Sequence, residues 1–271
     1  MPDSPTHDQV SQPQEFEFQT LEVGFREGVI DVTLDRPERL NAVSLQMASE
    51  LRTVVAEYAF RPDARVLVVR GNGRAFCAGF DVTTEPPDTS PRGMWLQNSG
   101  FHAAFQALAA APVVRIAQLH GHVVGAGILL SAACELRYAD PTTTLSVPEL
   151  DMGIPFSLGG VSTLARYIGL TRTADMVLTG RRMQAEEALA AGFLTEVLPG
   201  EELPARVGEV ARRIAARPAS LLLASLTSLN EAARDLLPAD TVDLATMQFA
   251  RDDPEAAAVN AEYAARFARR R

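Results

Sequence analysis

The sequence predicts a mixed α/β core followed by a helical C-terminal region, and three observations carry that expectation. Hydrophobic residues fill 47% of the 271 positions, enough for one large core. Segments of strand composition alternate with segments of helical period up to about residue 198. Beyond Thr195 the hydrophobic spacing is helical almost throughout. The expected organisation is a lead-in at 1–14, an α/β core at 15–198 and a helical region at 199–271.

The opening MPDSPTHDQVSQPQ is polar and Pro-containing and lacks the apolar centre of a signal peptide, so it reads as a disordered lead-in. Phe16 to Val23 and Gly28 to Leu34 have strand composition, with Gly24 to Glu27 as the turn of a hairpin. Ser44 to Tyr58 reads as a helix with Met47, Leu51, Val54, Val55 and Tyr58 on one face. Arg65 to Val69 and Val113 to Ala117 read as buried strands, Arg115 being the one polar member of the second. Thr83 to Arg92, with three prolines, reads as a loop that covers or flanks a site. Ala126 to Cys134 reads as a buried helix, and Leu145 to Glu149 returns to the core. Leu203, Val207, Val210, Ala211 and Ile214 then mark a helix, followed by Leu221 to Leu236 and an Ala-rich end.

Composition excludes several classes of function. The net charge of −9 argues against nucleic acid as a partner. All 25 basic residues are Arg, so Lys-dependent chemistry, such as a Walker phosphate site or a Schiff base, is absent. Cys77 and Cys134 fit neither a disulfide framework nor a zinc motif, which suggests a reduced, cytoplasmic setting. The longest apolar-dominated stretch, Val123 to Cys134, is shorter than the roughly 18 residues of a membrane span. His120 and His122 have no carboxylate-rich partner motif, so turn or pocket-wall roles are favoured over metal. Gly125-Ala126-Gly127 lacks the third glycine of a dinucleotide fingerprint, and Pro155 before Ser157 breaks a nucleophile elbow.

Two glycine-bearing turns at strand ends remain. They are Ala75-Phe76-Cys77-Ala78-Gly79-Phe80-Asp81 and His120 to Gly127. If they converge, backbone N–H groups from both can reach one oxygen, and the helix opened by the second adds its N-terminal positive end. The same glycines would equally suit tightly packed turns.

These turns fall within a longer series. Leu34-Asp35-Arg36-Pro37-Glu38-Arg39-Leu40-Asn41-Ala42, Ala78-Gly79-Phe80-Asp81, Gly121 to Gly127, Pro148-Glu149-Leu150 with Gly153-Ile154-Pro155, and Thr179-Gly180-Arg181-Arg182 follow one another in order. Together they resemble the signatures of the crotonase (enoyl-CoA hydratase/isomerase) superfamily over about residues 16 to 198. The tail is looser: Phe249, Asp252 and Glu255 resemble the family's ending, with Ala256 where a glycine is usual. The resemblance implies a crotonase-like spiral of ββα units with a C-terminal helical trimerisation region, in a homotrimer or homohexamer. It also implies an acyl-CoA thioester as substrate, with coenzyme A part of that substrate and no permanently bound cofactor or metal. Fatty-acid breakdown is the commonest setting of such enzymes.

By position, the N–H groups of Phe80 and Ala126 would hold the thioester oxygen as an oxyanion hole, and Glu149 would be the acid/base. Ala78, Gly79 and Gly125 belong to the same turns as binding candidates, and Arg39 lies where the family meets the CoA diphosphate and adenosine. Hydratases of the family use a second Glu three residues after the second oxyanion-hole position, and here that residue is Leu129. One carboxylate suffices to move a double bond, so isomerisation is the sharper expectation. A 2-enoyl-CoA hydratase and a non-catalytic acyl-CoA binder are the alternatives. Asp81 is expected to brace its turn, Asp151 its loop and Glu135 a salt bridge. His102 is a minor acyl-pocket candidate, and Trp95, Phe101 and Phe105 are expected as apolar walls or core.

Overall fold

Leu21–Arg26 (β1) and Val29–Leu34 (β2) pair antiparallel, and the turn between them is Glu27-Gly28, both with positive φ (52° and 78°). Two such residues make the tight turn whose twist suits a hairpin. The turn therefore lies later than Gly24 to Glu27, because Gly24 is still paired with Asp31. The computed structural model describes residues 16–83, 88–236 and 252–268. The lead-in at 1–14, residues 84–87 of the 83–92 loop and Phe249 lie outside them.

Val66–Gly71 (β3), Val114–Leu119 (β4), Leu136–Ala139 (β6) and Glu196–Val197 (β9) extend the sheet in parallel, in the order β1-β2-β3-β4-β6-β9. A second sheet joins His122–Val124 (β5), Thr144–Ser146 (β7) and Met183–Gln184 (β8). Side chains of a strand alternate between faces. Leu67 and Val69 accordingly enter the main core, whereas Val66 and Val68 enter a second cluster with Val207, Val210 and Ala211. Those three residues line helix α7 (Leu203–Ala215), which covers the back of the sheet.

The front is covered by helices α1 (Leu45–Val54) and α2 (Pro91–Ala109), which pack on each other. Ser44 caps α1 by accepting from Met47 N at 3.1 Å, and Ser90 caps α2 by accepting from Gly93 N at 3.1 Å. Pro91, fitted to a first helical turn, therefore begins α2 rather than ending a loop. A wider π-helical turn at Val55–Ala59 ends α1. On α2, Met94, Phe101, Phe105 and Leu108 face inward at helical spacing, which leaves Trp95 53% exposed. Phe101 and Phe105 are thus core as expected, and Trp95 is not.

Helix α3 (Ala126–Ala132) is buried along its whole length. Helices α4 (Gly160–Ile168), α5 (Leu170–Thr179) and α6 (Ala185–Ala190) follow, and α8 (Ala219–Leu236) succeeds α7. Helix α9 (Pro254–Ala268) packs against a short 3-10 turn, Leu150–Met152. Arg115, 1% exposed, is held inside the core through its two terminal nitrogens by Glu135 and by the carbonyls of Ala111 (2.7 Å) and Leu108 (3.2 Å), while its Nε has no hydrogen-bond partner among the described residues. This bridge ties β4 to the end of α3, the role expected of Glu135. Among the described residues no helix is long and apolar enough to cross a membrane.

Candidate active site

The segment Pro37 to Val43 is the scaffold of the first glycine turn. A 3-10 turn at Pro37–Arg39 leads into Leu40 and Asn41, both left-handed, with φ of 51° and 56°. Asn41 is fully buried; it accepts from Arg36 N at 2.9 Å and donates to the carbonyls of Asn72 and Ala75, each at 2.8 Å. Asparagine tolerates this conformation, and here its amide fixes three strands of chain at once. The following residues then hold the turn: Ala78 N donates to Leu40 O (2.9 Å), Val43 N to Gly79 O (2.8 Å) and Asp81 N to Val43 O (3.0 Å).

That pattern is a single parallel bridge between Val43 and Phe80. Because Val43 bonds to residues 79 and 81, the N–H of Phe80 itself points away from Val43. The Phe80 ring packs against Phe101, with centroids 4.5 Å apart, and against Phe105 at 6.1 Å. Asp81 accepts from Arg36 Nη2 (2.7 Å), Thr83 Oγ1 (2.6 Å) and Thr83 N (3.0 Å). Burial would raise its pKa, but these partners outweigh burial and hold the carboxyl well below the usual range. Asp81 therefore braces its turn.

The second turn lies directly against the first. Cys77 N donates to His122 O and Val124 N to Cys77 O, each at 3.0 Å. A Cβ on Gly127 would stand 2.5 Å from Cys77 O, so only glycine permits this approach. Ala126 opens α3 behind Gly125, whose φ of 49° and ψ of −109° are open only to glycine. An N–H in the first turn of a helix has no intrahelical partner, so the Ala126 N–H is set at the positive end of α3. The expected convergence of the two turns is present.

Glu149 faces this junction. It begins the 150–152 turn and is 8% exposed, and a Cβ on Gly125 would lie 2.2 Å from its Oε1. Its other oxygen, Oε2, is buried with no hydrogen-bond partner among the described residues. Burial pushes the carboxyl from 4.5 up to about 7. Leu129, one turn along α3, is 6% exposed and part of the main core. Glu149, Gly125, Ala126, Gly79 and Phe80 are thus brought together, while the N–H groups of Ala78 and Gly125 are occupied by Leu40 O and Ser146 O.

Arg39 stands apart on the surface and donates to Thr83 Oγ1 at 3.1 Å. His120 Nε2 lies 2.9 Å from Gly73 O and His122 Nδ1 3.3 Å from Thr144 Oγ1. Among the described residues no group of three or more His, Cys, Asp or Glu is placed to hold a metal. Cys77, pushed up to about 12 by burial, is a packing thiol. Sequence reasoning missed Tyr263 on α9, a half-buried phenol whose pKa is raised by burial and then by the charges of Asp151 and Glu149. Its only signal was the spacing of Ala256, Asn260 and Tyr263 along one helical face.

Known proteins are similar to this chain in sequence and in fold. The sequence model described as Enoyl-CoA hydratase/isomerase matches residues 24–256. A probable enoyl-CoA hydratase of Mycobacterium bovis is 30% identical over 79% of this chain and 82% of its own length. The (E)-benzylidenesuccinyl-CoA hydratase of Thauera aromatica is 31% identical over 79% of this chain and 81% of its own. A solved enoyl-CoA hydratase from Mycobacterium avium subsp. paratuberculosis superposes with a TM-score of 0.81 at 25% identity, covering 91% of this chain and 100% of that one.

Proposed function

The chain belongs to the enoyl-CoA hydratase/isomerase family, with the crotonase fold, and from that premise we propose that it is an enoyl-CoA isomerase with Glu149 as its single acid/base. The observation that carries the reading is the buried carboxyl of Glu149 against Gly125 at the junction of the two turns, with Leu129 where a hydratase of the kind this sequence resembles has its second Glu.

The N–H groups of Phe80 and Ala126 receive the thioester oxygen of an acyl-CoA, whose coenzyme A portion is part of the substrate. Glu149 removes a proton from C2 of a 3-enoyl thioester, and the charge moves onto that oxygen as an enolate. The same carboxyl then returns the proton at C4, leaving the double bond between C2 and C3. Atoms balance without water. Two donors aimed at a developing anion lower the barrier by about 3 to 4 kcal/mol each. A carboxyl held near neutrality suits the task, because it must accept and return a proton at similar cost.

Water addition places a heavier demand on the site. The water needs activation and the α-carbon needs a proton, and leucine supplies neither. The names of the relatives nevertheless favour hydration, which keeps 2-enoyl-CoA hydratase as the second reading. We further propose assembly as a homotrimer or homohexamer.

Incubating wild type and Glu149→Gln with matched 3-enoyl-CoA and 2-enoyl-CoA separates these readings. Isomerisation predicts conversion of the 3-enoyl ester at unchanged mass, falling about 10²–10⁴-fold in the variant. Gain of one water on the 2-enoyl ester, without isomerisation, would establish the hydratase instead. Binding of both esters without turnover would indicate a non-catalytic acyl-CoA binder.

A further inference from the structure

Helix α9 meets the Glu149 turn in an ordered series. Gly153, with φ of 71°, lies against Ala256 and Asn260: a Cβ there would stand 2.3 Å from Ala256 O and 3.0 Å from Asn260 N. Asn260 Nδ2 donates to Met152 O at 2.8 Å. Ala256, Asn260 and Tyr263 fall within about 60° of one another around a helix of 3.6 residues per turn. As the turn runs back from Gly153 through Met152 to Glu149, α9 therefore runs forward from Ala256 through Asn260 to Tyr263.

We propose that Tyr263 is a positioning residue: its ring, delivered by α9, covers the Glu149 turn and keeps water from the buried carboxyl. The inference rests on Glu149 being the acid/base of the site. It accounts for a carboxyl oxygen that is buried without a hydrogen-bond partner among the described residues. The reciprocal effect is present in Tyr263, whose pKa is raised first by its own burial and then by the charges of Asp151 and Glu149. Among the described residues, Tyr263 on α9 lies in the field of both Glu149 and Asp151, the carboxyl on the same turn, and Arg266 beyond it lies in the field of Asp151. Residues 125–129 of the facing turn and helix bring none. Because Tyr263 acts here as apolar cover, the ring matters and the hydroxyl does not.

The test is a carbon-13 carboxyl titration of glutamate-labelled full-length chain, with the Glu149→Gln spectrum identifying the Glu149 signal. Tyr263→Ala should lower the Glu149 midpoint by about one pH unit or more, a tenfold or greater loss of proton affinity. Tyr263→Phe should retain the wild-type midpoint. Asn260→Ala, which loosens α9 and leaves the ring intact, should move it in the same direction as Tyr263→Ala and serves if that variant does not fold. The acidic limb of kcat/KM should move with the midpoint. An unchanged midpoint in Tyr263→Ala or, if it does not fold, in Asn260→Ala overturns the proposal, as does a Tyr263→Phe shift equal to that of Tyr263→Ala. The titration needs no turnover, so it reads the cover even if the isomerase assignment fails.

Discussion

Glu149→Gln should stabilise the folded chain, and by an amount that grows with pH. An ordinary glutamate titrates at 4.5 and Glu149 at about 7, so between these values the folded chain keeps a proton that the unfolded chain has released. The sign follows from linkage: the stability of the protonated carboxyl is fully present below about 4.5 and is lost as pH rises through about 7. At about 1.4 kcal/mol per pH unit, the loss approaches about 3 kcal/mol above pH ~8 and is about 1 kcal/mol at pH ~5. Glutamine has nearly the same shape and does not titrate, so any fixed packing change contributes equally at both pH values. Urea unfolding of both proteins at pH ~5 and pH ~8.5 should therefore show the stability difference, variant minus wild type, rising by about 2 kcal/mol. A difference that stays constant across this range would refute the claim that burial holds the carboxyl protonated. It would also remove the physical basis for Glu149 as a neutral-pH base.

Other perturbations test the surrounding frame. Gly125→Ala should cost about 1–3 kcal/mol in backbone strain, and by driving its Cβ into Glu149 Oε1 should lower kcat more than it raises KM; unfolding and steady-state kinetics measure both. Asn41→Ala strands the N–H of Arg36 and the carbonyls of Asn72 and Ala75, at about 1–3 kcal/mol for each group left buried, read as a fall in urea midpoint. Leu129→Glu should lower stability by at least about 2 kcal/mol, since it puts a carboxyl into core, and should confer or increase addition of water to 2-enoyl-CoA, seen as a mass gain.

What was legible in the sequence followed local rules. The hydrophobic periods located α1, α7 and the strands β3 and β4, because burial imposes those periods directly. The β1–β2 turn was misplaced because Gly24 looks like a turn residue, and a left-handed Glu27 has no compositional mark. At the site, the glycine turns and Glu149 were visible, but their meeting depends on backbone bridges from Val43 to Phe80 and from Cys77 to Val123, which join distant segments. The Arg36–Asp81 pair leaves no spacing signal, since it spans more than forty positions.

The frame around Phe80 and Ala126 is built from main-chain bonds: the Val43 and Cys77 bridges use only amides and carbonyls. On the proposed assignment, the path of chain that places the two N–H groups is thus held by main-chain bonds and not by the side chains at 80, 126 and 129. Such a molecule separates two heritable properties. On the proposed assignment, the capacity to steady an anion resides in chain path, whereas the fate of that anion is decided by one or two side chains set around it. On that assignment, changing one such side chain would exchange one reaction for another, and the leucine at 129 has the form such an exchange would take.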